Sequence, residues 1–168
     1  MIEVTGKLLP SDYVAAQYLH LRPRLAFKIL GSLIILAMLW AIWYTISKAG
    51  LSGLKLMDYL FFGAIIYLLF FFVWFIPWKG RKIYRQQKSL QRESRNRFSD
   101  AGLEAENELG HATIPWTDYV KWKENDKIFL LYVSDPMFHM IPKRLFSDPS
   151  DVENLRGLLQ THIGKSAV

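Results

Sequence analysis

Two stretches without a charged residue, Ile29–Ile46 and Tyr59–Trp78, constrain this chain more than anything else in it. Tyr59–Trp78 has 20 residues, which as a helix covers roughly 30 Å, the thickness of a bilayer's hydrocarbon core. Ile29–Ile46 has 18, and a helix begun at Leu25 is long enough, with Lys28 able to extend its ammonium to the headgroups. Helices apolar on every face need complete cover, and a chain of 168 residues is too small to wrap two of them. The spacing therefore predicts transmembrane helices over 25–46 and 59–78. Residues 47–58 join them, with breakers at Gly50, Ser52 and Gly53, so the two spans run antiparallel. Trp40, Trp43 and Tyr44 suit the far interface, and Trp74 and Trp78 the near one. Ala37 and Ala41 are spaced for close approach of the two spans. Neither apolar core holds Asp, Glu, Lys, Arg or His, which argues against an ion path or proton relay.

The formal net charge is +6, a value that by itself suggests nucleic acid. Its distribution argues otherwise. Residues 79–97 carry eight basic residues against Glu93, whereas 98–168 carry seven basic and eleven acidic residues. Positive charge beside a hydrophobic span reads as attraction to anionic lipid and as a topology signal. Lys79, Arg81, Lys82, Arg85, Lys88, Arg92 and Arg95 are expected on a helical stem, 79–97, that continues the second span. Arg22, Arg24 and Lys28 mark the same side, while the loop between the spans has only Lys48 and Lys55. Both termini are expected to be cytoplasmic. The mixed first 24 residues predict no cleavable signal. The absence of cysteine removes disulfides and thiolate chemistry.

Ile2, Val4 and Leu8 alternate with Glu3, Thr5 and Lys7, the period of a half-buried strand. A lone strand needs a sheet to join, and the candidate sheet lies after the hairpin. Residues 1–24 therefore hold a strand and a short helix that belong with the later domain. That helix follows Pro10, with Ser11 or Asp12 as cap, Val14, Tyr18 and Leu21 as its apolar stripe, and Pro23 as its stop.

From Phe98 the chain changes to short apolar runs separated by turns. Asp100-Ala101-Gly102 turns the chain. Leu103–Leu109 alternates, with Glu104, Glu106 and Glu108 on the solvent face. Tyr119–Glu124 alternates too, so that Lys121 and Lys123 face glutamates across strands. Asn125-Asp126 makes a hairpin turn into Lys127–Ser134, apolar on both faces as in a strand covered on both sides. Phe138–Ile141 is the next strand, stopped by Pro142. A last helix is capped by Ser150 with Glu153, shows a stripe of Val152, Leu155, Leu159 and His162 or Ile163, and ends at Gly164. The fold class is α+β: one antiparallel sheet under one C-terminal helix, with the hairpin inserted in a discontinuous domain.

Phe98-Ser99-Asp100-Ala101-Gly102-Leu103, Ile114-Pro115-Trp116-Thr117-Asp118, Phe129-Leu130-Leu131-Tyr132 and Ile141-Pro142-Lys143-Arg144-Leu145-Phe146 resemble the YcxB-like C-terminal domain, as does the order of strand, short helix, two spans and domain. The resemblance implies a bacterial inner-membrane protein whose cytoplasmic domain, 98–168, is similar to the pleckstrin-homology fold. It implies no catalytic residues.

The residues themselves offer no catalytic pattern. His20, His111, His139 and His162 lack metal-ligand spacing, and neither a Gly-rich phosphate loop nor a nucleophile elbow is present. No metal and no cofactor are expected. The expected function is a membrane-tethered, non-catalytic module that binds a protein or a lipid headgroup, with a protein partner or a homo-oligomer beside the anionic bilayer. Lys143 and Arg144 are the candidate anion contact, and Trp116, with Trp122, the candidate aromatic anchor. The alternative is an immunity protein that neutralises one incoming toxin at the inner membrane. Its gene would lie beside the toxin's.

Overall fold

The computed structural model of the protein describes residues 1–22, 25–50 and 53–167, with the side chains of 25–28 left aside. Pro23, the expected stop of the short helix, Ser52 of the loop, and Arg24 and the Lys28 side chain, expected at the membrane surface, lie outside the described residues. The chain forms two units, one of residues 1–21 with 78–168 and one of residues 22–77.

The second unit is two helices, α2 (Leu25–Ala49) and α3 (Leu56–Phe70). Residues Ile29–Ala49 of α2, and α3 with its helical continuation to Gln86, are long and apolar enough to cross a membrane, and the apolar side chains of α2 and α3 are exposed almost throughout. Ala37 and Ala41 are exposed as well, so the small-residue pair does not seat one helix on the other. The loop is shorter than expected: Asp58 lies in the first turn of α3 rather than at the end of the loop, and accepts from the Lys55 N–H at 2.8 Å. A π-helical turn, Phe71–Phe75, joins α3 to α4 (Ile76–Gln86), with the Ile76 N–H bonded to the Phe71 carbonyl. Pro77 explains the wide turn. Its ring would strike the carbonyl four residues back in a regular helix, and one extra residue per turn relieves that clash.

The first unit is built on seven strands. Strand β1 (Ile2–Lys7) pairs antiparallel with β2 (Glu93–Ser99), followed by β3 (Gly102–Asn107) and β4 (Gly110–Pro115) in one four-stranded sheet. Strands β5 (Lys121–Glu124), β6 (Ile128–Tyr132) and β7 (Phe138–Pro142) form a second sheet. The expected single sheet is therefore two. The N-terminal strand joins the first, with Val4 opposite Asn96. Its partner lies in the stretch expected to be a helical stem: the helix stops at Gln86, a 3-10 turn takes Lys88–Gln91, and Arg95 and Arg97 sit in β2.

The main core joins Ile2, Val4, Phe98 and Leu103 to Phe129, Leu131 and Ile141 of the second sheet and to Leu155 and Leu159 of the C-terminal helix α5 (Pro149–His162). The other face of β6, with Ile128, Leu130 and Tyr132, packs against Ala16 and Leu19 of α1 (Pro10–His20). The short N-terminal helix thus supplies the second cover that β6's two apolar faces require. Its buried face is Asp12, Ala16 and Leu19, while Tyr18 and Leu21 are exposed. The expected stripe is rotated because Asp12 turns inward, where its Oδ2 accepts the Leu9 N–H at 2.7 Å. In α5 the cap is Asp148, which accepts the Ser150 N–H at 2.8 Å, rather than Ser150 itself.

Candidate functional site

The antiparallel register sets three rows of inward side chains on the first sheet. Ile2, Phe98, Leu103 and Ile114 form the first, Val4, Asn96, Ala105 and Ala112 the second, and Gly6, Ser94, Asn107 and Gly110 the third. The first row is large, apolar and in the core. The rows then shrink and become polar, so the sheet stops filling the space above it. A groove of about 480 Å³ remains, floored by Ser94, Asn96, Ala105 and Ala112 and walled by β7. Leu109, 70 % exposed at the β3–β4 turn, stands at its rim. A second cavity of about 410 Å³ lies between β7 and α1, lined by Tyr13 and Gln17. The two meet along β7 and share Leu90, Phe138, His139 and Met140.

Two side chains at this place have shifted acidity. Burial pushes the His139 imidazole below its ordinary value, favouring the neutral ring. That ring lies 5.9 Å from Tyr119, edge to face. Burial, with the charge of Asp118, pushes the Tyr119 phenol up, and its hydroxyl is buried without a hydrogen-bond partner among the described residues.

The expected site residues do not converge on a ligand. Trp116 is 4 % exposed and donates to the Ser99 carbonyl at 2.9 Å, and Trp122 is 1 % exposed and donates to the Gly164 carbonyl at 2.7 Å. Both fill the core, since a buried indole needs one acceptor and finds it on the backbone. Lys143 donates to Glu124 at 2.5 Å, with its Nζ 4.9 Å from the centre of the Phe129 ring. Arg144 holds Asp12 through Nε and Nη2 and the Lys7 carbonyl at 2.6 Å. The adjacent cations are thus tied to two different carboxylates inside the protein.

Lys121 and Lys123 also find partners other than the expected glutamates. Lys121 pairs with Asp135, and Lys123 donates to the His20 carbonyl at 3.3 Å. They line a cavity of about 360 Å³ with His20 and Tyr132. The glutamate ladder is answered by the supposed stem. Arg97 lies 3.9 Å from Glu104, 3.7 Å from Glu106 and 3.3 Å from Glu3, and Arg92 lies 3.2 Å from Glu108. The polybasic stretch is therefore divided. Arg92, Arg95 and Arg97 are ion-paired on the sheet, whereas Arg81, Lys82, Arg85 and Lys88 are exposed and form no ion pair among the described residues. In α4, Gly80, Ile83 and Tyr84 turn the opposite face inward. Gly80 sits against Val14, and the Tyr84 hydroxyl donates to the Leu8 carbonyl at 2.7 Å.

Sequence reasoning missed the groove because much of its floor comes from β2 and β4, whose inward positions beyond Phe98 and Ile114 are Ser94, Asn96, Gly110 and Ala112. Short and polar, they break the alternation that betrays a strand. The usable signal was the 80, 83, 84 spacing of Gly, Ile and Tyr, which shows that α4 turns one face to the folded unit.

Residues 98–159 match the family described as YcxB-like protein. No curated protein and no solved structure matches the chain. The matched segment runs from the end of β2 into α5, and β1, α1 and the apolar helices lie outside it.

Proposed function

Starting from a YcxB-like segment over 98–159, we propose that the chain is an integral membrane protein whose two spans interrupt a pleckstrin-homology-like unit, and that this unit is a non-catalytic module for binding a protein partner. The arrangement of four strands, three strands and a closing C-terminal helix supports the fold. The exposed apolar faces of α2 and α3 support the membrane, since lipid is the cover such faces need. The exposed cations Arg81, Lys82 and Arg85 of α4, against far fewer in the loop between the helices, support cytoplasmic termini and contact with anionic lipid at the inner membrane.

The observation that carries the binding reading is the groove. It is open, of a size that ligands fill, and faced by an edge strand. The charged side chains that sequence reasoning put forward for binding are committed to ion pairs elsewhere.

The test is capture of partners by the full chain, tagged after its last residue, from native membranes, beside an Ala112→Leu variant that fills the groove. A stoichiometric partner lost in the variant is expected. Capture that ignores the filling would overturn the reading. Recovery of a toxin would turn it toward the immunity alternative.

A further inference from the structure

We infer that the groove takes an extended, uncharged peptide segment, which adds as a strand to the free edge of β7. The inference rests on the reading of this unit as a binding module and names the occupant of the same groove.

Among the described residues, strand β7 pairs with β6 and with no other strand. In an antiparallel ladder, alternate residues turn their N–H and C=O toward the partner and the rest turn them away. The phase is set by two bonds, Val133 N–H to Met137 at 3.0 Å and Lys143 N–H to Lys127 at 2.8 Å. Met137, His139, Ile141 and Lys143 therefore face β6, and Phe138 and Met140 present their N–H and C=O outward. Two residues along a strand span roughly 7 Å, so these groups repeat at the spacing that another extended chain offers. The cavities on either side of this edge leave it room.

The opposite wall fits alternating side chains. Asn96, Ala105 and Ala112 stand where the neighbouring row has Phe98, Leu103 and Ile114, so an incoming side chain finds depth. Among the described residues, none that lines the groove is Asp, Glu, Lys or Arg. An ionised occupant would lose its hydration with nothing to offset the loss. This argues against a phosphate or a lipid headgroup and selects a segment of aliphatic, Ser, Thr or Asn residues. The other outer edge of the second sheet is already engaged: the Ala167 N–H donates to the Trp122 carbonyl of β5 at 2.9 Å. Pro142 has no N–H to offer, so pairing stops there.

The test uses the full chain in nanodiscs, with amide nitrogens of Phe and Met labelled. The probe is a nine-residue peptide of alternating valine and threonine, lysine-flanked and end-blocked, beside a copy N-methylated at alternate residues. The first peptide is expected to slow hydrogen exchange at Phe138 and Met140 at least tenfold, and the methylated copy to leave it unchanged. Ala112→Leu should abolish the protection, and Asn96→Leu serves if that variant fails to fold. The proposal is overturned if both peptides act alike, if neither acts at millimolar concentration, or if the two amides are already as slow as His139 without peptide. A native partner whose capture needs the groove but leaves both amides unprotected would overturn strand addition while leaving the module reading intact.

Discussion

Arg144 holds Asp12 across 132 positions of sequence, with Nε 3.2 Å from Oδ1 and Nη2 2.5 Å from Oδ2. The same carboxylate accepts the Leu9 N–H at the start of α1. One side chain thus ties the turn after β7 to the helix that covers β6, although both apolar helices lie between them in the chain. Arg144→Ala leaves a nearly buried carboxylate with a single donor. It should cost about 2 kcal/mol, discounted because Arg144 is partly exposed. Denaturant unfolding of the full chain in detergent measures it, and Arg144→Lys should restore only part of the loss because it cannot fork.

Glu124 predicts a sharper effect. Its carboxylate accepts from Lys143 at 2.5 Å and from Arg156 at 2.5 and 2.8 Å, and all three side chains are mostly buried. Glu124→Gln leaves Lys143 without a counter-charge and Arg156 with only the exposed Glu153, and should cost about 3 kcal/mol. Glu153 also binds Arg156 but is exposed, so Glu153→Gln should change stability by less than about 0.5 kcal/mol. The same denaturation series checks both.

The pH dependence follows from the same groups. His139 is lowered by burial, and His20 by burial and then by Lys123 and Lys121. Their unfolded forms therefore bind protons first, so stability is full above the ordinary 6.5 and falls as pH drops below it. Burial pushes Glu124 up, but its bonds to Arg156 and Lys143 outweigh this and leave it below 4.5. Its contribution is lost as pH falls below that value. Melting temperature between pH 8 and 3 should show two descending steps, and His139→Gln should shrink the upper one.

Gly102 has φ +148°, and a Cβ there would lie 2.2 Å from the Ile114 carbonyl oxygen. The obstacle is the backbone of the paired strand, which cannot move aside. Gly102→Ala should destabilise by more than about 1 kcal/mol, read as a lower denaturant midpoint. Gly157→Ala meets open space in α5 and should stabilise by about 0.5 kcal/mol.

Strands whose inward positions are large and apolar, β1 and β6, were legible in the sequence. So was α5, whose Leu155 and Leu159 fall in the core. Strand β2 was not, because Ser94 and Asn96 face an open groove and the outward Arg95 and Arg97 pair with Glu3. The polarity that hides the strand also makes the floor of the groove. The ion-pair partners of Lys143 and Arg144 were hidden for a different reason. Two adjacent cations look like one anion contact, and only the fold brings Glu124 and Asp12 to them.

Pairing of β1 with β2 makes the N-terminal strand and the segment after the hairpin one folded unit, which requires both to lie on one side of any bilayer the hairpin crosses. Thr5 faces Arg95 across β1 and β2, away from the core, and the chain has no native cysteine. The deciding measurement is disulfide formation in Thr5→Cys/Arg95→Cys in native membranes under mild oxidation, followed by gel mobility. Rapid, near-complete intramolecular crosslinking is expected there, and little in a Thr5→Cys/Glu108→Cys control. Absence of the first crosslink, or equal crosslinking in the control, would contradict it.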